Sequence, residues 1–332
     1  MGAYGYLLAL ALILLFTKIF GLATAHVHLP QVVGALIAGI LLGPSGIGIL
    51  HETDFLVKTA EIGVIMLMFI AGIDTDINEL KHTGPAACLI AAIGVFVPII
   101  GCGGVYFLFF EDSFTYSNII KASFVGIVFA ATSVSITVET LNEMGKLKTR
   151  VGATLLSAAI IDDIIGIVVL SVLSALGDSS VNPGIVVLKI LGFFVFTGIV
   201  GFIVYKLFKK ISINHGTSRR VAVWAMAFCF IMAYCAERFF GVADITGAYF
   251  AGVILCNVTK MRQYVAKKVT AASYLVFSPV FFANIGLKTD LSGINSEIIV
   301  FAAVLAVMAV LTKIIGCGLG AKMCRMSNHE SL

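Results

Sequence analysis

The chain has 332 residues, 60% of them hydrophobic and only 12% charged, with a net charge of +4 and a mean hydropathy of +1.07. An ordinary soluble domain carries roughly 25% charged residues, so this composition excludes a soluble globular protein and describes a polytopic membrane protein. The small positive balance calls for no nucleic-acid partner.

Eleven apolar runs follow one another near residues 3–20, 31–43, 56–73, 86–110, 118–143, 150–176, 185–208, 219–240, 245–258, 268–287 and 298–321. Each is taken as a helix, since roughly 15–25 apolar residues cross about 30 Å of hydrocarbon. The second and ninth are short for a full span and are expected to tilt or to extend past these limits. The start, Met1-Gly2-Ala3-Tyr4-Gly5-Tyr6, lacks the basic region of a cleaved signal.

Sixteen Lys and Arg lie in the connections after odd-numbered runs: Lys18, Lys81, Lys146, Lys148, Arg150, Lys206, Lys209, Lys210, Arg219, Arg220, Lys260, Arg262, Lys267, Lys268, Lys322 and Arg325. Five lie on the other side: Lys58, Lys121, Lys189, Arg238 and Lys288. This asymmetry predicts an N-terminus outside and a C-terminus in the cytoplasm, in the cell membrane. The seven cysteines sit in or beside the runs without a Cys-x-x-Cys spacing and read as small packing residues.

Charges and hydroxyls inside the runs are the informative residues. Glu61, in the third run near Lys58, reads as an interfacial carboxylate. The fifth run places Thr132, Ser133, Ser135 and Thr137 within six residues. Such side chains either rescue an interrupted helix, leaving carbonyls and half-helix ends for a cation, or bond to neighbouring helices. Glu143, near Lys146, Lys148 and Arg150, reads as a loop ion pair. The sixth run carries Asp162 and Asp163 side by side, and intramembrane carboxylates mark ion or proton sites. Neighbours on a helix differ by about 100°, so one can meet an internal partner while the other faces a water-filled cavity. Lys313 lies deep in the eleventh run. It must snorkel to the interface or pair, and Asp162 or Asp163 is its expected partner.

Three segments recur in the second half. Gly34–Gly39 returns as Gly247–Gly252, Gly72–Ile77 as Gly286–Leu291, and Ile99–Gly103 as Ile314–Gly318. Seven helices, an odd number, separate the copies, which predicts an inverted repeat. The first repeat then covers 1–176, with ion-site helices in 118–176. Residues 185–208 connect, and 219–332 form a second, incomplete repeat. By this register the chain is expected to be truncated by two C-terminal helices.

These residues resemble the sodium/proton antiporters of the NapA type, within the monovalent cation/proton antiporter superfamily that also includes Kef-like potassium exchangers. Ala131-Thr132-Ser133 looks like their discontinuous helix, Ile161-Asp162-Asp163 like their ion-binding helix, and Thr312-Lys313 like their lysine-bearing helix. The resemblance implies an all-α inverted-repeat antiporter fold and exchange of Na⁺ or Li⁺ for H⁺ by alternating access, with K⁺/H⁺ exchange as the alternative. It implies that Asp163 is the principal carboxylate shared by cation and proton, assisted by Asp162. Asp162 is expected to pair with Lys313, and Thr132 and Ser133 to line the site. It further implies a homodimer in the bilayer with no cofactor and no enzymatic activity. An intramembrane aspartyl protease needs two carboxylates sharing a proton across a gap, which an adjacent pair on one helix serves poorly. A channel would differ in lacking coupling to protons.

Overall fold

A computed structural model of the chain describes residues 4–27, 29–75, 77–110, 113–177, 182–215, 219–291 and 296–331. Regular structure among them is helical: α1 (Gly5–His26), α2 (Gln31–Leu42), α3 (Asp54–Asp74), α4 (Ile77–Phe110), α5 (Tyr116–Ala130), α6 (Val134–Glu143) and α7 (Arg150–Gly177), followed by α8 (Pro183–His215), α9 (Arg219–Cys235), α10 (Asp244–Cys256), α11 (Thr259–Ala272), α12 (Ser278–Leu287), α13 (Ser296–Met323) and the short α14 (Asn328–Ser331). A π-helical turn, Ala236–Phe240, extends α9, and another, Ser273–Phe277, joins α11 to α12.

Nine of the described helical stretches are long and apolar enough to cross a membrane, and α2 and α10 are shorter apolar helices. Together they account for the eleven runs. Several helices outreach the apolar runs: α4 begins at Ile77 and α11 at Thr259. Polar turns continue a helix beyond the hydrocarbon, where hydropathy no longer registers it.

Local chemistry sets the ends. Thr53 caps α3 by accepting the Leu56 N–H at 3.3 Å, and Thr115 caps α5 through the Asn118 N–H at 3.4 Å, satisfying donors that a first helical turn leaves orphaned. Gly241, at φ 62°, ends the π-turn after α9, a conformation that glycine adopts without strain.

The chain forms two compact units. The first draws on residues 1–75, 135–146 and 195–293, the second on 76–134, 147–194 and 294–332. In the first, α2 packs on α12 and α3 on α10, and glycines bring the backbones together. A Cβ on Gly39 would strike the Ala283 carbonyl and one on Gly286 the Leu36 carbonyl, while Gly252 abuts Phe69 and Gly72 abuts Tyr249 in the same way. Such close approach is how membrane helices gain packing energy without a hydrophobic driving force.

In the second unit α4 is the hub, packing on α5, α7 and α13. Gly126 of α5 meets the Ile99 backbone, Gly101 meets Thr312, and Gly316 meets Ile93 and Val97. Overpacking typically costs about 1–3 kcal/mol. Gly252→Ala is therefore expected to lower the unfolding temperature in detergent by several degrees. Gly104→Ala, at a position with open space around it, is expected to leave it unchanged.

Candidate ion-binding site

The second unit brings Asp162 and the hydroxyl-rich segment at Thr132 to one ammonium, Lys313, supplied by α13. The first contributor is a break in a helix. α5 stops at Ala130, Ala131 turns extended at φ −64°, ψ 125°, and α6 resumes at Val134, so the hydroxyl-rich segment is an interruption rather than a continuous span. The break leaves α5 with carbonyls beyond the reach of helical N–H groups and with the negative end of its dipole at membrane depth. Lys313 Nζ donates to one of them, the Ala130 oxygen, at 2.6 Å.

The second contributor is a proline. Pro98 lies inside α4 and has no N–H, so the carbonyl four residues earlier, that of Gly94, loses its helical partner. Lys313 Nζ takes it up at 3.1 Å. Gly94 also leaves room for the approach, because a Cβ there would come within 2.7 Å of Cys317 Sγ and 3.9 Å of the amine.

The third contributor is α7. Asp162 accepts from Lys313 Nζ through both carboxylate oxygens, each at 3.1 Å. Its Oδ2 also accepts the Thr132 N–H of the break at 3.3 Å. The side chain of Asp162 is 4% exposed and that of Lys313 24%. An ammonium has three donors, and here it meets two carbonyls freed by sequence-specific causes and one carboxylate. Lys313 thus pairs inside the unit instead of snorkelling.

Asp163, one position on, stays outside this network. It is half-buried, and no hydrogen bond or ion pair reaches its carboxylate among the described residues. Thr132 and Ser133 are exposed in the break. The arrangement therefore holds one neutralised carboxylate in a fixed frame and leaves a second able to accept either a proton or a small cation.

Three residues escaped the sequence reading. Gly94 and Pro98 look like ordinary membrane-helix residues, and only their i, i+4 relation carries the signal. The third is Glu139, buried in α6 at 5% exposure, which the surrounding Ser and Thr obscured. Of the other charges, Glu61 does pair with Lys58 at 3.0 Å, with side chains 48% and 64% exposed, where solvent screens the attraction. Glu143 accepts the Gln31 N–H at 2.8 Å, capping α2, whose preceding residue, Pro30, supplies no side-chain cap.

The Pro98 mechanism is testable. Pro98→Ala restores an N–H that competes for the Gly94 carbonyl. In detergent-unfolding measurements its effect is expected to be non-additive with that of Lys313→Ala, by about 1 kcal/mol, the worth of one hydrogen bond.

Residues 8–332 match the family model described as sodium/hydrogen exchanger, transmembrane. The chain is 36% identical over 324 residues to a probable Na⁺/H⁺ antiporter, GerT, of Bacillus cereus, covering 97% of this chain and 84% of that protein. It is 37% identical to the Na⁺/H⁺-K⁺ antiporter GerN of the same organism, covering 96% of this chain and 81% of that one. It is 33% identical to a Na⁺/H⁺ antiporter of Enterococcus hirae, covering 97% and 83%. Among solved structures, that of the sodium proton antiporter MjNhaP1 from Methanocaldococcus jannaschii matches with a TM-score of 0.75 over 100% of this chain and 81% of that one. At 20% identity this last likeness speaks for a shared fold.

Proposed function

Because this chain belongs to the sodium/hydrogen exchanger family, we propose that it exchanges Na⁺ for H⁺ across the cytoplasmic membrane, with Asp163 as the carboxylate that the two ions share. One observation carries this reading: Lys313 neutralises Asp162, while among the described residues no hydrogen bond or ion pair reaches the adjacent carboxylate. A carboxylate beside low-dielectric walls cannot stay charged without cost. Asp163 is therefore occupied by Na⁺ or by H⁺, and competition for one site couples their movements. Thr132 and Ser133, exposed in the break, add oxygen ligands of the hard kind that Na⁺ prefers.

In this reading the N-terminus lies outside and the C-terminus in the cytoplasm, as the distribution of Lys and Arg argues, and the protein works as a homodimer. The glycine contacts support the inverted repeat. Gly39 on Ala283 and Gly252 on Phe69 are equivalent under the sequence offsets of the repeated segments, as are Gly286 on Leu36 and Gly72 on Tyr249. Gly101 on Thr312 likewise mirrors Gly316 on Val97.

The K⁺ alternative has a specific motive in GerN, whose name includes K⁺. Purified protein in proteoliposomes, with an internal pH dye and pulses of NaCl, LiCl or KCl, separates the readings. Proton flux with Na⁺ and Li⁺ at least about tenfold above that with K⁺ is expected; equal or larger K⁺ flux assigns the protein to K⁺ exchange, and no cation-dependent flux rejects exchange altogether.

A further inference from the structure

Glu139 is a buried carboxylate that the exchange site does not use. It lies on α6, which follows directly on the break at Ala131–Ser133, and it belongs to the first unit. One of its oxygens, Oε2, accepts the Tyr274 hydroxyl at 2.7 Å, and that hydroxyl accepts the Asn142 amide N–H at 2.7 Å. Tyr274 sits in the π-helical turn Ser273–Phe277, a motif frequent at functional sites. Beside it, Ser273 and Ser278 share a hydroxyl hydrogen bond of 2.9 Å.

No Lys, Arg or His forms an ion pair with Glu139 among the described residues. The titratable groups facing it are Tyr274, from the π-turn, and Glu143, one turn along α6, whose own carboxylate is engaged by the Gln31 N–H of α2. A carboxylate buried without a counter-charge adds nothing that a glutamine could not supply for packing, and its charge is costly to hold. What a carboxylate adds is a hydrogen bond whose strength changes with protonation, since a charge-assisted bond is roughly twice as strong as a neutral one.

We propose that Glu139 is a proton-sensitive positioning residue for the exchange site. Ionised, it clamps α6 to the π-turn through Tyr274; protonated, it releases α6, and with it the Thr132–Ser133 segment to which α6 is covalently joined. Acid then lowers Na⁺ affinity twice, once by competition at Asp163 and once by loosening the segment that completes the site. This inference rests on the exchange reading above.

The test is the apparent KM for Na⁺ in proteoliposomes as a function of pH, for the wild type, Glu139→Gln and Tyr274→Phe. Two linked protons make KM rise by up to about 100-fold per pH unit on the acid side, and one makes it rise about tenfold. The wild type is expected to exceed tenfold per unit, and both variants to fall to about tenfold, with a raised KM at alkaline pH and little change in kcat. A side chain that only supports the fold would lower the yield and unfolding temperature and leave the steepness alone. Wild-type steepness in either variant overturns the proposal, so Tyr274→Phe decides it if Glu139→Gln does not fold. A wild-type steepness of about tenfold also overturns it, while leaving competition at Asp163 intact. A wild type showing no Na⁺-dependent flux would instead remove the exchange reading itself.

Discussion

Asp163→Asn is expected to reduce Na⁺-driven proton flux in proteoliposomes to that of empty vesicles, a loss of at least about 100-fold. The amide keeps the size and one oxygen of the carboxylate but has no proton to exchange and no charge to hold a cation. Because no hydrogen bond or ion pair reaches the Asp163 carboxylate among the described residues, the substitution is expected to leave the unfolding temperature in detergent within a few degrees of the wild type. The pairing of lost flux with a retained fold is the informative result. Asp162→Asn, by contrast, leaves the half-buried Lys313 ammonium beside two carbonyls without its counter-ion, and should cost stability as well as transport.

Lys313→Ala is the second large effect. Removing one partner of a buried ion pair leaves the other uncompensated, which costs about 3–5 kcal/mol, and here it also strips donors from the Gly94 and Ala130 carbonyls. Exchange is expected to weaken sharply, since the frame that neutralises Asp162 is gone. Adding Asp162→Asn should recover at least half of the lost stability, because the orphaned charge disappears while the two carbonyls remain unpaired. Unfolding in detergent across the four proteins of this cycle measures the coupling. Strictly additive losses would show that the 3.1 Å contact contributes nothing as a pair.

Membrane chemistry explains what could be read from the chain alone. Asp162, Asp163 and Lys313 stand out because hydrocarbon tolerates charge so poorly that few exceptions occur, and an exception names its own importance. The hydroxyl cluster around Thr132 announced a possible break, yet a continuous helix bonded to its neighbours predicts the same residues. Packing decides between them, and packing is long-range. The glycine segments were visible as repeats, but that Gly39 meets Ala283 and Gly252 meets Phe69 follows only from which helices lie together.

Other features were hidden for separate reasons. Pro98 acts through a carbonyl four residues away and through a lysine 215 positions later in the sequence, so neither residue looks exceptional by itself. Glu139 lies near the polar end of its run, where a carboxylate is usually hydrated; its hydrogen-bond partner, Tyr274, is remote in sequence. From the chain alone Glu143 reads as a partner of the nearby basic residues, since proximity along the chain is the only proximity a sequence displays. Its capping of α2 joins residues 112 positions apart.

The central claim is that one carboxylate, Asp163, holds either Na⁺ or H⁺. Proton release on Na⁺ binding measures this without any need for turnover: purified protein in weakly buffered detergent receives NaCl, choline chloride serves as control, and the pH change is titrated back. The wild type is expected to release protons on Na⁺ addition and Asp163→Asn to release none. Equal release from the two proteins would contradict the account.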